Sequence, residues 1–347
     1  MKNRARVLAG VLAAVLAVLL LPGCGKQQTT TIRMGIAIYR QDDTFISTVV
    51  QSLEQYAKVE EQSRNIKINL SIADGRGSQA TQNEQVDRFL AQGYDIICVN
   101  LVDRTAAAVI IDKAQAANVP VIFFNREPVE EDLARWEGAY YVGLKAAVAG
   151  ELQAGIVRDA WRATPNVLDR NADGVLQYVM LEGEPGHQDA LLRTEYSIKA
   201  LSQAGIETEK LASDTADWQR GQAAVLMGQW LEKFGNRIEV VFANNDDMAL
   251  GAIDACLEAG ISEEEFPFVV GVDATPPALE ALQAGTLKGT VKNESEGQAE
   301  TMLKLACALA EGQNPASEVS LTDGKYVWLQ YATVTRENLA YYTAGAA

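Results

Sequence analysis

Cysteine, histidine and clustered positive charge are all scarce in this chain. Four cysteines and one histidine are spread over 347 residues. With Cys24 set apart by its place near the N-terminus, Cys98, Cys256 and Cys307 remain, an odd number embedded in apolar runs without metal-ligand spacing. They read as small core residues, and no disulfide is assigned. Lys and Arg number 30 against 46 Asp and Glu, a formal charge of −16. Nucleic acid and anionic lipid both reward clustered cations, so neither is the expected ligand, whereas a neutral solute is compatible with this balance. No G-x-G-x-x-G and no P-loop follows the first apolar strand. Arg40, Gln41, Asp42, Asp43 and Thr44 stand there instead, which argues against a nucleotide phosphate. A repressor's N-terminal helix-turn-helix is also missing, its place taken by an apolar segment.

That segment opens with Lys2, Arg4 and Arg6 and continues as an apolar run over residues 7–21. About 15 apolar residues fall short of the ~20 that a membrane span requires, so the run reads as a cleaved signal. Leu21, Gly23 and Cys24 fit a lipobox, with Pro22 an unusual residue inside it. The expectation is a signal peptide over 1–23, a lipidated Cys24, a polar tether over 24–31 and ordered structure from near Ile32.

The length beyond the tether is too great for one ordinary core and implies two lobes. Strand-length apolar runs alternate with amphipathic helix-length segments almost to the end, the pattern of parallel βα units. Strands are expected at 32–39, 66–73, 95–100 and 119–125, with helices at 44–62, 78–92 and 104–117 between them. A charged stretch after Arg126 leads to a second series, with strands near 177–181, 207–211, 238–244, 268–272 and 289–291. Helices intervene at 146–162, 190–204, 219–234, 248–259 and 277–284, while the pattern does not say which lobe owns the helix 297–311 or the strand 325–333. Ligands of open α/β sheets lie at the carboxyl ends of strands, which places Tyr39, Asn100 and Asn125 where a solute could be met.

Asp169, Asn171, Asp173, Gly174, Val175 and Gln177 reproduce the first nine positions of an EF-hand calcium loop. Alternate oxygen side chains can converge on one hard cation, with Val175 contributing its carbonyl. The twelfth position is Met180 rather than a bidentate glutamate, so the missing carboxylate must come from elsewhere. A polar turn without an ion remains the alternative.

Seven segments occur in order: AIYRQDDTF at 37–45, VNLVD at 99–103, GEPGHQDALLRT at 183–194, DTADW at 214–218, EVVFANND at 239–246, GVD at 271–273 and GTVKN at 289–293. Together they closely resemble the bacterial periplasmic galactose/glucose-binding protein family, solute receptors of ABC importers. The resemblance implies a type I periplasmic binding protein fold: two doubly wound parallel-sheet lobes joined by a three-segment hinge. The expected lobes are 32–125 with 294–329, and 126–293 with 330–347, the chain crossing near Asn125, near Asn293 and before Gln330. It further implies that Asp43, Asn100, His187, Asp189, Arg193, Asn245, Asp273 and Asn293 bond sugar hydroxyls. Phe45 and Trp218 would sandwich the pyranose, Tyr39 would sit at the rim, and Glu239 would complete the calcium set. A permease is the implied partner, with a chemoreceptor as a second candidate, and a monomer is the expected state.

The residue types suit a hexose independently of the family. Asp, Asn and Arg side chains meet two vicinal hydroxyls at once, and a hydroxyl left unpaired in a dry site costs roughly 1–3 kcal/mol. Flat rings would cover the C–H faces at about 25 cal/mol per Å². Each residue also has a plainer reading: His187 as a structural hydrogen-bonder, Phe45 and Trp218 as packing residues, Asp43 and Asp273 as helix caps, Asn100, Asn125 and Asn245 as strand terminators. Another monosaccharide such as xylose, or a methyl-galactoside, stays open as the ligand. A calcium-dependent glycosidase built on Asp43, Asp189 or Asp273 is disfavoured, since Arg193 beside Asp189 should keep that carboxyl ionised.

Overall fold

The protein is described by a computed structural model over residues 30–343. The signal segment, Cys24 and most of the tether lie outside the described residues. The first lobe begins β1 (Thr31–Ile38), α1 (Thr44–Arg64), β2 (Lys67–Asp74), α2 (Gln79–Ala91) and β3 (Ile96–Val99). It continues with α3 (Ala107–Ala117), β4 (Val121–Phe124), a short α4 (Glu130–Leu133) and β5 (Ala139–Gly143). The second runs α5 (Ala146–Ala163), α6 (Pro165–Leu168), β6 (Val175–Glu182), α7 (Gln188–Gln203), β7 (Glu207–Thr215) and α8 (Arg220–Phe234). After these come β8 (Val240–Ala243), α9 (Asp246–Glu258), β9 (Phe268–Val270), α10 (Pro276–Ala284) and β10 (Gly289–Lys292). The chain closes with α11 (Ser295–Ala310), β11 (Tyr326–Trp328), β12 (Ala332–Thr335) and α12 (Leu339–Thr343).

The strands form two six-stranded sheets, ordered β11-β5-β4-β3-β1-β2 and β12-β10-β9-β8-β6-β7. All pairings are parallel except β10 with β12. Helices cover both faces, so the central strands are apolar throughout: Ile-Ile-Cys-Val in β3, Val-Ile-Phe-Phe in β4 and Val-Val-Phe-Ala in β8 are buried at every residue. Cys98, Cys256 and Cys307 are free and buried. The helix α11 belongs to the first lobe, where Met302, Leu303 and Ala306 join Ile36 and Phe124 in one core.

One expected boundary moves. The first chain crossing lies beyond Gly143 and not at Asn125, because β5 pairs with β4 and β11 inside the first sheet. Its five residues are buried on both faces, and the Tyr141 hydroxyl donates to the Asn125 carbonyl at 2.8 Å. Residues 325–333, expected as one strand, are two short strands of different lobes, β11 and β12, and the chain crosses between them over Leu329, Gln330 and Tyr331, where the third crossing was expected. The carboxyl ends of β1, β3 and β4 face those of β6, β8, β9 and β10 across a cleft lined from both lobes.

Candidate functional site

Three of the site's side chains are first of all helix caps. Asp43 accepts the Ile46 N–H at 2.8 Å and starts α1, while its other oxygen accepts the Tyr39 hydroxyl. Asn245 accepts the Met248 N–H at 3.0 Å and starts α9, leaving its amide to donate to the Trp218 carbonyl at 3.3 Å. His187 Nδ1 accepts the Asp189 N–H at 3.1 Å at the start of α7. That bond fixes the neutral tautomer with the proton on Nε2. Capping fixes each rotamer at no added cost, since a helix N-terminus must satisfy its first N–H groups in any case. The cap and ligand readings of these positions are therefore compatible.

One turn along α7, Arg193 pairs with Asp189 at 3.1 Å and donates to the Asn244 carbonyl at 2.8 Å. Asp273 sits after β9 at φ +125°, an unusual backbone position for a side-chain-bearing residue, and accepts from the Asn293 amide at 3.1 Å. Gln298 holds Asn293 in turn at 3.3 Å. Asp217 and Trp218 are both left-handed, at φ +57° and +66°. The Trp218 indole lies over Gly183, where a Cβ would come within 2.2 Å of the ring, and it meets the His187 ring edge-on at 5.2 Å.

Tyr39, Asp43 and Phe45 of the first lobe and His187, Asp189, Arg193, Trp218, Asn245, Asp273 and Asn293 of the second line one cleft with about 340 Å³ of empty space. Asn100 does not line it. Fully buried, its amide donates to the Asn125 side chain at 3.0 Å and to the Phe124 carbonyl at 3.3 Å. Asn125, left-handed at φ +60°, reaches the cleft in its place.

Arg126, read from sequence only as a boundary, is a further lining residue. Its guanidinium lies 3.7 Å over the Tyr39 ring, donates to the Val102 carbonyl at 2.9 Å and pairs with Glu184 of the other lobe at 2.8 Å. The available signal was a lone cation directly after the buried strand β4.

Burial dominates the electrostatics. It holds His187 well below the ordinary imidazole value, with Arg126 and Arg193 acting in the same direction. It raises Asp189 despite the nearby Arg193, the reverse of what that arginine alone would do. Burial also raises Asp273, partly offset by Arg193 and reinforced by Asp246. Two buried donors, Arg193 Nε and Trp218 Nε1, have no hydrogen-bond partner among the described residues. Carboxylates, amides and unpartnered donors around two aromatic rings suit a neutral molecule whose hydroxyls both donate and accept.

Far from this cleft, the loop 169–177 turns through Gly174 at φ +80°. Asp169 accepts the Asp173 and Gly174 N–H groups at 3.1 and 2.9 Å, and Asp173 accepts that of Val175 at 2.8 Å. Asn171 and Gln177 donate to Asp173 at 2.9 and 3.0 Å. The buried Glu239 accepts the Arg170 and Gln177 N–H groups at 2.7 and 2.9 Å. Burial raises its pKa, and the carboxylates of Asp169 and Asp173 add to that effect. Among the described residues no three His, Cys, Asp or Glu side chains are grouped closely enough to hold an ion unaided. An ion here would also need the amide oxygens of Asn171 and Gln177 and the Val175 carbonyl. That all-oxygen set fits a hard cation of calcium type.

Residues 34–314 match the periplasmic binding protein domain family. The chain is 39% identical over 310 residues to the D-galactose/methyl-galactoside binding periplasmic protein of Haemophilus influenzae, covering 88% of this chain and 90% of that one. It is 30% identical over 335 residues to the xylitol-binding protein of Mycolicibacterium smegmatis, covering 95% and 86% respectively. Among solved structures, an ABC transporter solute binding protein of Bacillus halodurans with bound myo-inositol superimposes with TM-score 0.74 at 29% identity, over 92% of this chain and 99% of that one.

Proposed function

We propose, from the premise that the chain belongs to the periplasmic binding protein family, that its ligand is galactose or glucose, captured by closure of the two lobes. At the level of the family it is an extracytoplasmic sugar-binding component of an ABC transporter and not an enzyme. The observation that supports a hexose is the cleft itself. Carboxylates, amides and the Arg193 guanidinium, drawn from the two lobes, line one space with Phe45 and Trp218 as its rings. Asp43 and Asn245 each spend one side-chain atom on a cap and the other on a neighbour, which leaves one carboxylate lone pair and one amide N–H for a sugar hydroxyl.

Delivery follows from the same geometry. Contacts from both lobes to one ligand stabilise the closed form, which a permease can then read. Calcium in the loop 169–177 with Glu239 fixes the end of the second lobe remote from the cleft, and a lipid on Cys24 holds the receptor near its transporter. Both stand on the donor set and the lipobox described above.

Isothermal titration with galactose, glucose, xylose, ribose, xylitol and myo-inositol tests the reading. One of the hexoses should bind most tightly. Trp218→Ala should weaken it by roughly 30-fold or more, equivalent to about 2 kcal/mol of lost ring burial, with the fold retained. No heat from either hexose, or tighter binding of a pentose or polyol, would sink it. Labelling with radioactive palmitate, expected for the wild type and lost in Cys24→Ala, tests the anchor.

A further inference from the structure

The cleft is not the last concavity along the seam between the lobes. Tyr39, Asp43 and Trp218, which wall it, also wall a second space that opens to solvent. Its outer sides include Asp217, Gln219 and Gly221 at the start of α8 and the Arg40–Asp42 pair after β1. Tyr39, Asp43 and Trp218 are the partition between the two spaces, so a group attached to the bound ring and carried past Trp218 would reach the outer one.

The chemistry of the outer space is that of a polar but uncharged occupant. Its two arginines are already neutralised, Arg40 by Asp42 at 2.8 Å and Arg220 by Asp254 at 2.6 Å. Asp247 is engaged by the Thr44 hydroxyl at 2.6 Å. Among the described residues that wall the space no free cation is left to receive a phosphate or carboxylate, and Asp43 and Asp217 would repel one. By contrast, the Asp217 carboxylate and the Gln219 amide make no side-chain hydrogen bond among the described residues, although both face the space. Hydroxyl groups would satisfy them. The indole N–H of Trp218, buried and unpartnered, lies in the wall shared by the two spaces.

We infer that this outer space is a subsite for a second sugar unit joined to the bound hexose through a glycosidic oxygen, so that the receptor takes disaccharides as well as the free sugar. The inference rests on the hexose reading of the inner cleft and extends it. A substituent in the subsite gains hydrogen bonds to Asp217 and Gln219, while the inner ring keeps its own contacts.

Gly221 offers a clean test, because a Cβ there meets nothing within 4 Å and its backbone is helical. Gly221→Leu should fold at least as well as the wild type, since leucine is the better helix former, yet its side chain would occupy the subsite. Galactose, glucose, lactose, melibiose and maltose would be titrated into wild type, Gly221→Leu and Gln219→Ala. The expected result is that the wild type binds at least one disaccharide, that Gly221→Leu weakens it by about tenfold or more, and that free hexose affinity stays within about twofold. Gln219→Ala should weaken the disaccharide alone, by a smaller factor. Free hexose binding without any disaccharide binding overturns the subsite, as does a Gly221→Leu variant that weakens neither ligand or both equally. Failure to bind free hexose overturns the reading of the inner cleft instead.

Discussion

Trp218 depends on what lies beneath it. A Cβ at Gly183 would stand 2.2 Å from the indole, so Gly183→Ala should push the ring off its seat and weaken hexose binding by about tenfold, with little change in melting temperature. Equal affinity for the two proteins, measured by titration, would show that the ring has room to move. His187, as the chain's one histidine, gives an unambiguous NMR signal. Its folded pKa is depressed from 6.5 by burial, so the unfolded chain takes up a proton there that the folded chain refuses. The stability it contributes is present above about pH 6.5 and declines as pH falls below that value. The ring resonances of the native protein should stay flat between about pH 8 and 5.5; a midpoint near 6.5 would contradict the burial. At this scale the sequence was informative wherever a short motif carried several polar residues, as in GEPGHQDALLRT. It misled at Asn100, whose place at a strand end is shared with Asn125. Only the packing of Tyr39, Asn100 and Asn125 decides which asparagine reaches the cleft. Arg126 offered only the weak signal of a lone cation just past a buried strand, because the carbonyl and the Glu184 that orient it are distant in sequence.

Among the elements, long buried strands and capped helices were legible from periodicity, and short strands without flanking turn signals were not. β5 follows a charged stretch and spans five residues, so nothing local distinguishes it from a loop; it is a strand because β4 and β11 flank it. β11 and β12 merged into one apolar run for a related reason, since no glycine or proline separates them and only sheet pairing divides them. The loop 169–177 was legible as far as its own residues go, but Glu239 comes from the start of another strand and no spacing rule could supply it. If that loop takes calcium, millimolar calcium should raise the melting temperature, with about 2.7 kcal/mol of stabilisation at a hundredfold excess over Kd. Chelator should remove the effect and Glu239→Gln should largely abolish it. Calorimetry that is indifferent to calcium and chelator would make the segment a polar turn.

Across the whole molecule, the two lobes are bridged by side-chain contacts at the edges of the cleft. Thr44 bonds Asp247 at 2.6 Å, Arg126 pairs with Glu184 at 2.8 Å, and Gln188 donates to Glu127 at 3.1 Å, each bridging the lobes. If the lobes close on a ligand as proposed, these bonds favour the closed form without ligand and raise apparent affinity by enlarging the competent fraction. Glu184→Gln and Asp247→Ala should each enlarge the ligand-free radius of gyration in small-angle scattering and weaken hexose binding by about threefold to tenfold. Saturating sugar should restore the compact radius. An unchanged ligand-free radius in both variants would show that the bridges do not set the equilibrium.

The first lobe draws its core helix α11 and its edge strand β11 from the last part of the chain, and the second lobe draws β12 from the same region. Neither lobe can therefore complete its sheet until nearly all of the polypeptide has been synthesised. A chain destined to leave the cytoplasm is thus slow to become too compact to thread through a secretion channel, because its fold is stitched shut from the far end.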